Sequence, residues 1–264
     1  MAADSDTDVL DHFNQHGYAV LAGVIDSDTV TRARSALELA ADRSEARGIP
    51  TRMEILDPGG QNVRVYDLPE HDVVFQELVA HPRVMDHVDE ILAHDPMISN
   101  FTANIALPGS GSMKAHCDQS TVMPAPWPEC DTMNAIWCLD DIDEGNGATR
   151  YLPHSHRFTD WSAVPDHPEL DMVAFEAAAG SVILMDGRMW HTSGPNRSRD
   201  RERALLFAFY SRSYIRLQNN WFQSLSDTTQ AELSPQLRHW LGLSSGNMAH
   251  GTYLTAGVPR PDQV

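Results

Sequence analysis

Between Ile98 and Tyr210 the chain is cut into short apolar stretches by glycine, proline and aspartate. The stretches are Phe101–Leu107, Met113–Gln119, Met133–Leu139, Ala148–Leu152, Val173–Phe175, Ser181–Met185 and Arg203–Tyr210. Short strands punctuated in this way indicate a sandwich or a barrel. The flanks read differently. Phe13 to Ile25 reads as a short strand after a helical turn, and Ser27 and Asp28 are expected to cap a helix reaching about Ala41. Val30 and Leu37 would lie on its inner face. Arg43 to Gly60 is charged, holds proline and glycine, and is expected to be irregular. Val74–Val79 and Val84–Leu92 are predicted as helices outside the sheet. Pro82 suits a first turn, and Val84, Val88, Ile91 and Leu92 follow helical spacing. After Tyr214 helix returns, with Ser234-Pro235 as a start and Gly242 as a stop. The 264 residues are therefore expected to form one domain: a helical N-terminal decoration over 1–97, a β core over 98–214 and a helical tail over 215–264.

Charge narrows the partners. Acidic residues outnumber basic ones 37 to 19, a formal charge of −18. That argues against nucleic acid or an anionic membrane, whose binding needs a basic footprint. No apolar run approaches the ~20 residues of a membrane span. Met1 to Asp8 lacks the basic start and apolar core of a signal peptide. Cys117, Cys130 and Cys138 are an odd number in a chain of this size, so a reducing cytoplasm is the expected setting. A small-molecule substrate is expected, and either a monomer or a homodimer fits.

The chemistry centres on His116-Cys117-Asp118. On a strand, residues i and i+2 face the same side. An extended His-x-Asp thus offers one imidazole nitrogen and one carboxylate oxygen to a single point, and turns Cys117 away. A third imidazole, from His191, completes a facial triad suited to non-haem Fe(II), with open positions for a co-substrate and O₂. His191 follows a strand ending near Met185 and a turn at Asp186-Gly187. Gly194-Pro195-Asn196 forms a second turn, and a hairpin-like return brings Arg203 toward the floor of the same pocket. Its planar fork of donors suits a carboxylate.

These residues resemble the phytanoyl-CoA dioxygenase-like branch of the Fe(II)/2-oxoglutarate oxygenases. The matching pieces are His116-x-Asp118, then Glu144-Gly-Asn-Gly-Ala-Thr149-Arg-x-x-Pro153-x-Ser155-His156, then His191-x-Ser193-Gly-x-Asn196-x-Ser198, and Arg203 leading a strand to Tyr210. The Phe-x-x-x-Gly-Tyr start near the N-terminus also fits, so the resemblance runs from about Asp11 to Tyr214. It implies a double-stranded β-helix, or jelly roll, with flanking helices. It implies iron held by His116, Asp118 and His191, with O₂ and 2-oxoglutarate as co-substrates. It implies Arg203 on the distal carboxylate of 2-oxoglutarate, helped by Ser193, with Thr149 as a further candidate. Lys114 shares the face of His116 by alternation and is expected either to reach a ligand or to bend toward water.

Two departures stand out. The family's Pro-Gly-Ser-His is Pro153-His154-Ser155-His156 here, and the interval from His191 to Arg203 is one residue longer than the family's. Arg201 is therefore a rival for the carboxylate. Arg203 is preferred for its distance to Tyr210 along an uninterrupted strand. His154 and His156 are expected on the surface or behind the ligands. The run from Asp140 to Glu144 lacks the spacing of a calcium loop and reads as a solvated turn. Of Trp127, Trp137, Trp190 and Trp221, at most one or two are expected in a substrate pocket. The resulting expectation is a dioxygenase that hydroxylates, desaturates or cyclises a small organic molecule in natural-product tailoring. A cupin-like isomerase or hydrolase with the same ligands, and a non-catalytic ligand-binding relative, are the alternatives.

Overall fold

The computed structural model describes residues 6–57, 59–93 and 95–244. The expected tail beyond 244 lies outside the described residues. Five helices and two strands come first: α1 Asp6–His16, β1 Tyr18–Leu21, α2 Ser27–Ala46, β2 Asn62–Val65, α3 Leu68–His71, α4 Val73–Val79 and α5 Pro82–Ile91. Then come β3 Pro96–Ala106, β4 Thr132–Cys138, β5 Thr149–Tyr151, β6 Val173–Ala174, β7 Val182–Asp186, β8 His191–Ser193 and β9 Arg203–Arg212. Helices α6 Trp221–Ser224, α7 Asp227–Glu232 and α8 Pro235–Trp240 follow.

The cap of α2 is Asp26, whose Oδ1 accepts from the Thr29 N–H at 2.8 Å, and not Ser27 or Asp28. The helix also outruns its expected end at Ala41. Ser44 is buried and returns its hydroxyl to the Ala40 carbonyl, so the inner face continues to that point. Ser234 caps α8 through Leu237 N–H, and Gly242 takes the left-handed φ of +68° that ends it.

Two antiparallel sheets build the jelly-roll core. The larger has the order β1-β7-β4-β9-β3-β2, and the smaller β6-β5-β8. Period-two alternation divides the larger sheet. Met133, Ala135 and Trp137 of β4 and Leu206 and Ala208 of β9 face the helical layer, packing with Leu37, Phe75 and Val88. Ile136, Cys138, Ile183 and Leu205 point inward and meet Tyr151 and Phe175 from the side of the smaller sheet. Every position of β4 is buried because both of its faces are covered. Truncating a buried leucine of the neighbouring β9, Leu206→Ala for instance, costs about 2–5 kcal/mol. Toward one end the interior switches from apolar to polar side chains, and the site lies there.

One expected strand is missing. Over Met113–Gln119 the only ladder contact is a bridge from His116 to His191, and Asp118–Thr121 forms a 3₁₀ turn. The Ser120 hydroxyl donates to the Cys117 carbonyl and the Thr121 hydroxyl to the Asp118 carbonyl. These local bonds offer the backbone an alternative to a ladder.

Candidate active site

His116 and His191 exchange two backbone hydrogen bonds, of 3.0 and 2.8 Å, which set their rings 4.4 Å apart between centroids. The turn after Cys117 then folds the Asp118 carboxylate back against both. His116 Nε2 lies 3.7 Å from Asp118 Oδ1, and His191 Nε2 lies 3.7 Å from Oδ2. One donor atom from each of the three lies within 4.8 Å of the others. So the expected convergence is present, but a turn and a single bridge produce it, not strand alternation.

The donors are poised for a cation. His116 Nδ1 lies 3.0 Å from the Lys114 carbonyl, and His191 Nδ1 lies 2.9 Å from that of Met189. A carbonyl only accepts, so each Nδ1 carries the proton and each Nε2 presents a lone pair. Burial holds the His191 imidazole below the usual histidine range. The attraction of Asp118 opposes this, and His116 adds to it. Asn134, on β4, donates from Nδ2 to Asp118 Oδ2 at 2.5 Å. Its own Oδ1 is buried and meets no donor among the described residues. Two imidazoles and one carboxylate on one side of a cavity fit Fe(II) with open positions opposite.

The cavity beside these ligands has a volume of about 190 Å³. Arg203 closes it and is 1% exposed. Its Nε donates to the Gly147 carbonyl at 2.9 Å, and Nη1 donates to Asn104 Oδ1 and to its backbone carbonyl. Burial, then the neighbouring Arg64, lowers the guanidinium to about 10, still cationic at neutral pH. Thr149 and Ser193 line the same cavity. Ser193 Oγ accepts from the Met113 N–H at 3.1 Å and so keeps its own proton to donate.

Arg201 is elsewhere, on the surface, clamped to Asp143 by contacts of 2.7 and 3.1 Å. The extra residue therefore belongs to the turn before the strand. Lys114 is a correction. Its side chain is exposed and is not part of the cavity wall, because the segment around it is no regular strand and alternation does not apply. Its carbonyl, not its ammonium, serves the site. No tryptophan lines the cavity; Trp127, Trp137 and Trp221 are buried in packing. His156 is buried beneath Gly17, not on the surface, and His154 is exposed. Cys117 is buried with its thiol pushed up to about 11 and stays out of the donor set.

The sequence reading missed three residues. Arg64 on β2 lines the cavity and is gripped by Asp57 through contacts of 2.5 and 2.8 Å. Asn104 holds Arg203, and Asn134 holds Asp118. The last two had a signal: each is a carboxamide buried within a strand, where a polar group needs a partner.

A jelly-roll core with this ligand face defines a non-haem iron, 2-oxoglutarate-dependent dioxygenase. The chain belongs to the phytanoyl-CoA dioxygenase (PhyH) family, whose model matches residues 13–204. It is 43% identical over 251 residues to dioxygenase af480 of Aspergillus fumigatus, covering 94% of this chain and 81% of that one. It is 25% identical over 234 residues to the multifunctional dioxygenase prhA of Penicillium brasilianum, covering 80% and 74%. In fold it matches HygX from Streptomyces hygroscopicus, solved with nickel and 2-oxoglutarate bound. There the TM-score is 0.65 at 18% identity, over 81% of this chain and 90% of that one. Among the described residues no helix is long and apolar enough to cross a membrane.

Proposed function

We propose that this dioxygenase oxidises a small organic molecule in natural-product tailoring, with iron on His116, Asp118 and His191 and 2-oxoglutarate anchored by Arg203. The observation that carries the reading is the placement of a buried guanidinium in the same cavity as three converging donor atoms. Bound iron and 2-oxoglutarate together supply the activation of O₂, at the expense of oxidative decarboxylation to succinate and CO₂.

The residues have distinct tasks. The Nδ1 bonds to Lys114 and Met189 fix both imidazoles in the metal-binding tautomer. Arg203, pinned by Asn104 and Gly147, meets the distal carboxylate without having to reorganise. Thr149 and Ser193 offer hydroxyl donors to the same group. Arg64 adds a second positive charge. Two guanidinium groups beside one cavity repel, and an anion between them relieves the repulsion. Asp118 occupies the coordination position that a halide would need, which favours oxygen chemistry over halogenation. The acidic surface supports a small-molecule substrate in place of nucleic acid, and three free cysteines support a cytoplasmic setting.

The test is anaerobic titration of the wild-type protein and of His191→Ala with Fe(II), followed by measurement of succinate from added 2-oxoglutarate. The wild type should bind one iron and form succinate. His191→Ala should do neither while its melting temperature stays close to that of the metal-free wild type. Stoichiometric iron in His191→Ala would refute the ligand assignment.

A further inference from the structure

Past the ligands and the two arginines, the cavity wall carries no charge. Phe207 and Phe209 of β9 and Met113 give it apolar surface, and Thr102 and Asn100 of β3 and Gln218 give it polar groups. Strand register fixes how these stand relative to the iron face. Asn134 of β4, Phe209 of β9 and Asn100 of β3 form one row across three strands. Ile136, Phe207 and Thr102 form the next row. Adjacent strands lie ~4.8 Å apart, so Asn100 stands roughly 10 Å from Asn134. Asn134, which holds the carboxylate, and Asn100 thus line the same cavity on either side of Phe209.

Asn100 does not act alone. Its Nδ2 donates to Gln218 Oε1 at 3.4 Å, a long bond that either amide can exchange for a ligand. Gln218 is exposed and stands at the mouth. Its backbone is fixed: the Gln218 N–H donates to Ser99 Oγ at 2.9 Å, and the Asn219 N–H to the Ser99 carbonyl at 3.0 Å. Asn219 Nδ2 also donates to Asp67 Oδ1 at 2.6 Å. The backbone that carries Gln218 is therefore held in place beside Asn100 before any ligand arrives.

We propose that the substrate inserts an uncharged, apolar portion over Phe209 and Phe207, and that Asn100 and Gln218 bind a hydroxyl or carbonyl group on it at the mouth. The proposal rests on the iron and 2-oxoglutarate reading of the same cavity. Its physical basis is twofold. A charge carried into this wall would meet no partner and would lose its hydration. A carboxamide pair offers both donors and acceptors and so matches neutral hydrogen-bonding groups. The substrate class is then a hydrocarbon skeleton bearing alcohol, ketone or lactone oxygen, and not an amino acid, an amine or a phosphate ester.

The test uses one bicyclic skeleton in four forms: borneol, camphor, bornylamine and the matching carboxylic acid. Each is titrated calorimetrically into anaerobic protein loaded with Fe(II) and 2-oxoglutarate. The alcohol and ketone should bind at least about tenfold more tightly than the ammonium and carboxylate forms. Asn100→Ala and Gln218→Ala should lose about tenfold for the neutral forms while the Kd for 2-oxoglutarate stays put. Gln218→Glu should turn the preference toward bornylamine. Charged forms binding as tightly as neutral ones would overturn the proposal. So would the absence of saturable binding by either neutral form, or an unchanged rank order in Gln218→Glu. Iron and 2-oxoglutarate affinities measured on the same samples keep the two readings apart, since their loss in the wild type would remove the underlying site instead.

Discussion

Asn134 Nδ2 donates to Asp118 Oδ2 at 2.5 Å, so the single carboxylate of the ligand set is held from behind by a strand of the larger sheet. The strand is buried along its whole length, whereas Asp118 itself opens a short 3₁₀ turn. The bond thus ties the turn to the sheet, and it selects which carboxylate face is offered to a metal.

Asn134→Ala should therefore weaken metal binding about 10–100-fold, the usual cost of losing a hydrogen bond behind a ligand. Equilibrium titration with Co(II) reads this directly, with the melting temperature of the metal-free protein as a control for folding. An unchanged Kd would show that the turn alone orients Asp118.

Arg203→Ala should cost 2-oxoglutarate binding about 2–5 kcal/mol, because a carboxylate in a partly desolvated pocket loses a charged partner. Arg201→Ala should leave it unchanged, since that side chain is paired with Asp143 at the surface. Arg64→Ala should fall between them. Calorimetry on the three variants ranks them, and a larger loss in Arg201→Ala than in Arg203→Ala would contradict the assignment.

With chloride present at high concentration, the product of the native enzyme should contain added oxygen, a new double bond or a new ring, and no chlorine. Asp118→Gly opens a coordination position but should be nearly inactive, because the groups around it are not arranged to hold a halide. The isotope pattern of the main product in a mass spectrum decides the matter.

The metal-free protein should lose stability as pH falls below about 6.5. Burial is the leading cause of lowered values for His71, His81, His156 and His191. Below the ordinary histidine pKa the unfolded chain takes up protons that the folded chain refuses, so stability rises with pH across that window. Asp67, raised by burial, acts in the opposite direction nearer the carboxylate range. Denaturant melts between about pH 5 and 7 isolate the histidine effect. A flat profile there would mean that these imidazoles are solvated.

The sequence by itself determined most of the strand succession, though not β2 and not the turn over Asp118–Thr121, and it singled out the three candidate metal donors and Arg203 over Arg201 as the candidate anchor. Those depend on residue type, order and distance along one strand, and all are local properties of the chain. Tertiary structure decided the rest. Alternation placed Lys114 beside His116, but the segment meets the sheet only through the bridge from His116 to His191, and the Lys114 side chain is exposed. Arg64 lies more than a hundred residues before its partner Arg203, and only the pairing of β2 with β3 and β3 with β9 brings the two to one cavity. Gln218 reaches Asn100 because Ser99 and Asp67 hold the segment that follows β9. Nothing in the local sequence encodes such contacts, since they form only when distant strands find their register.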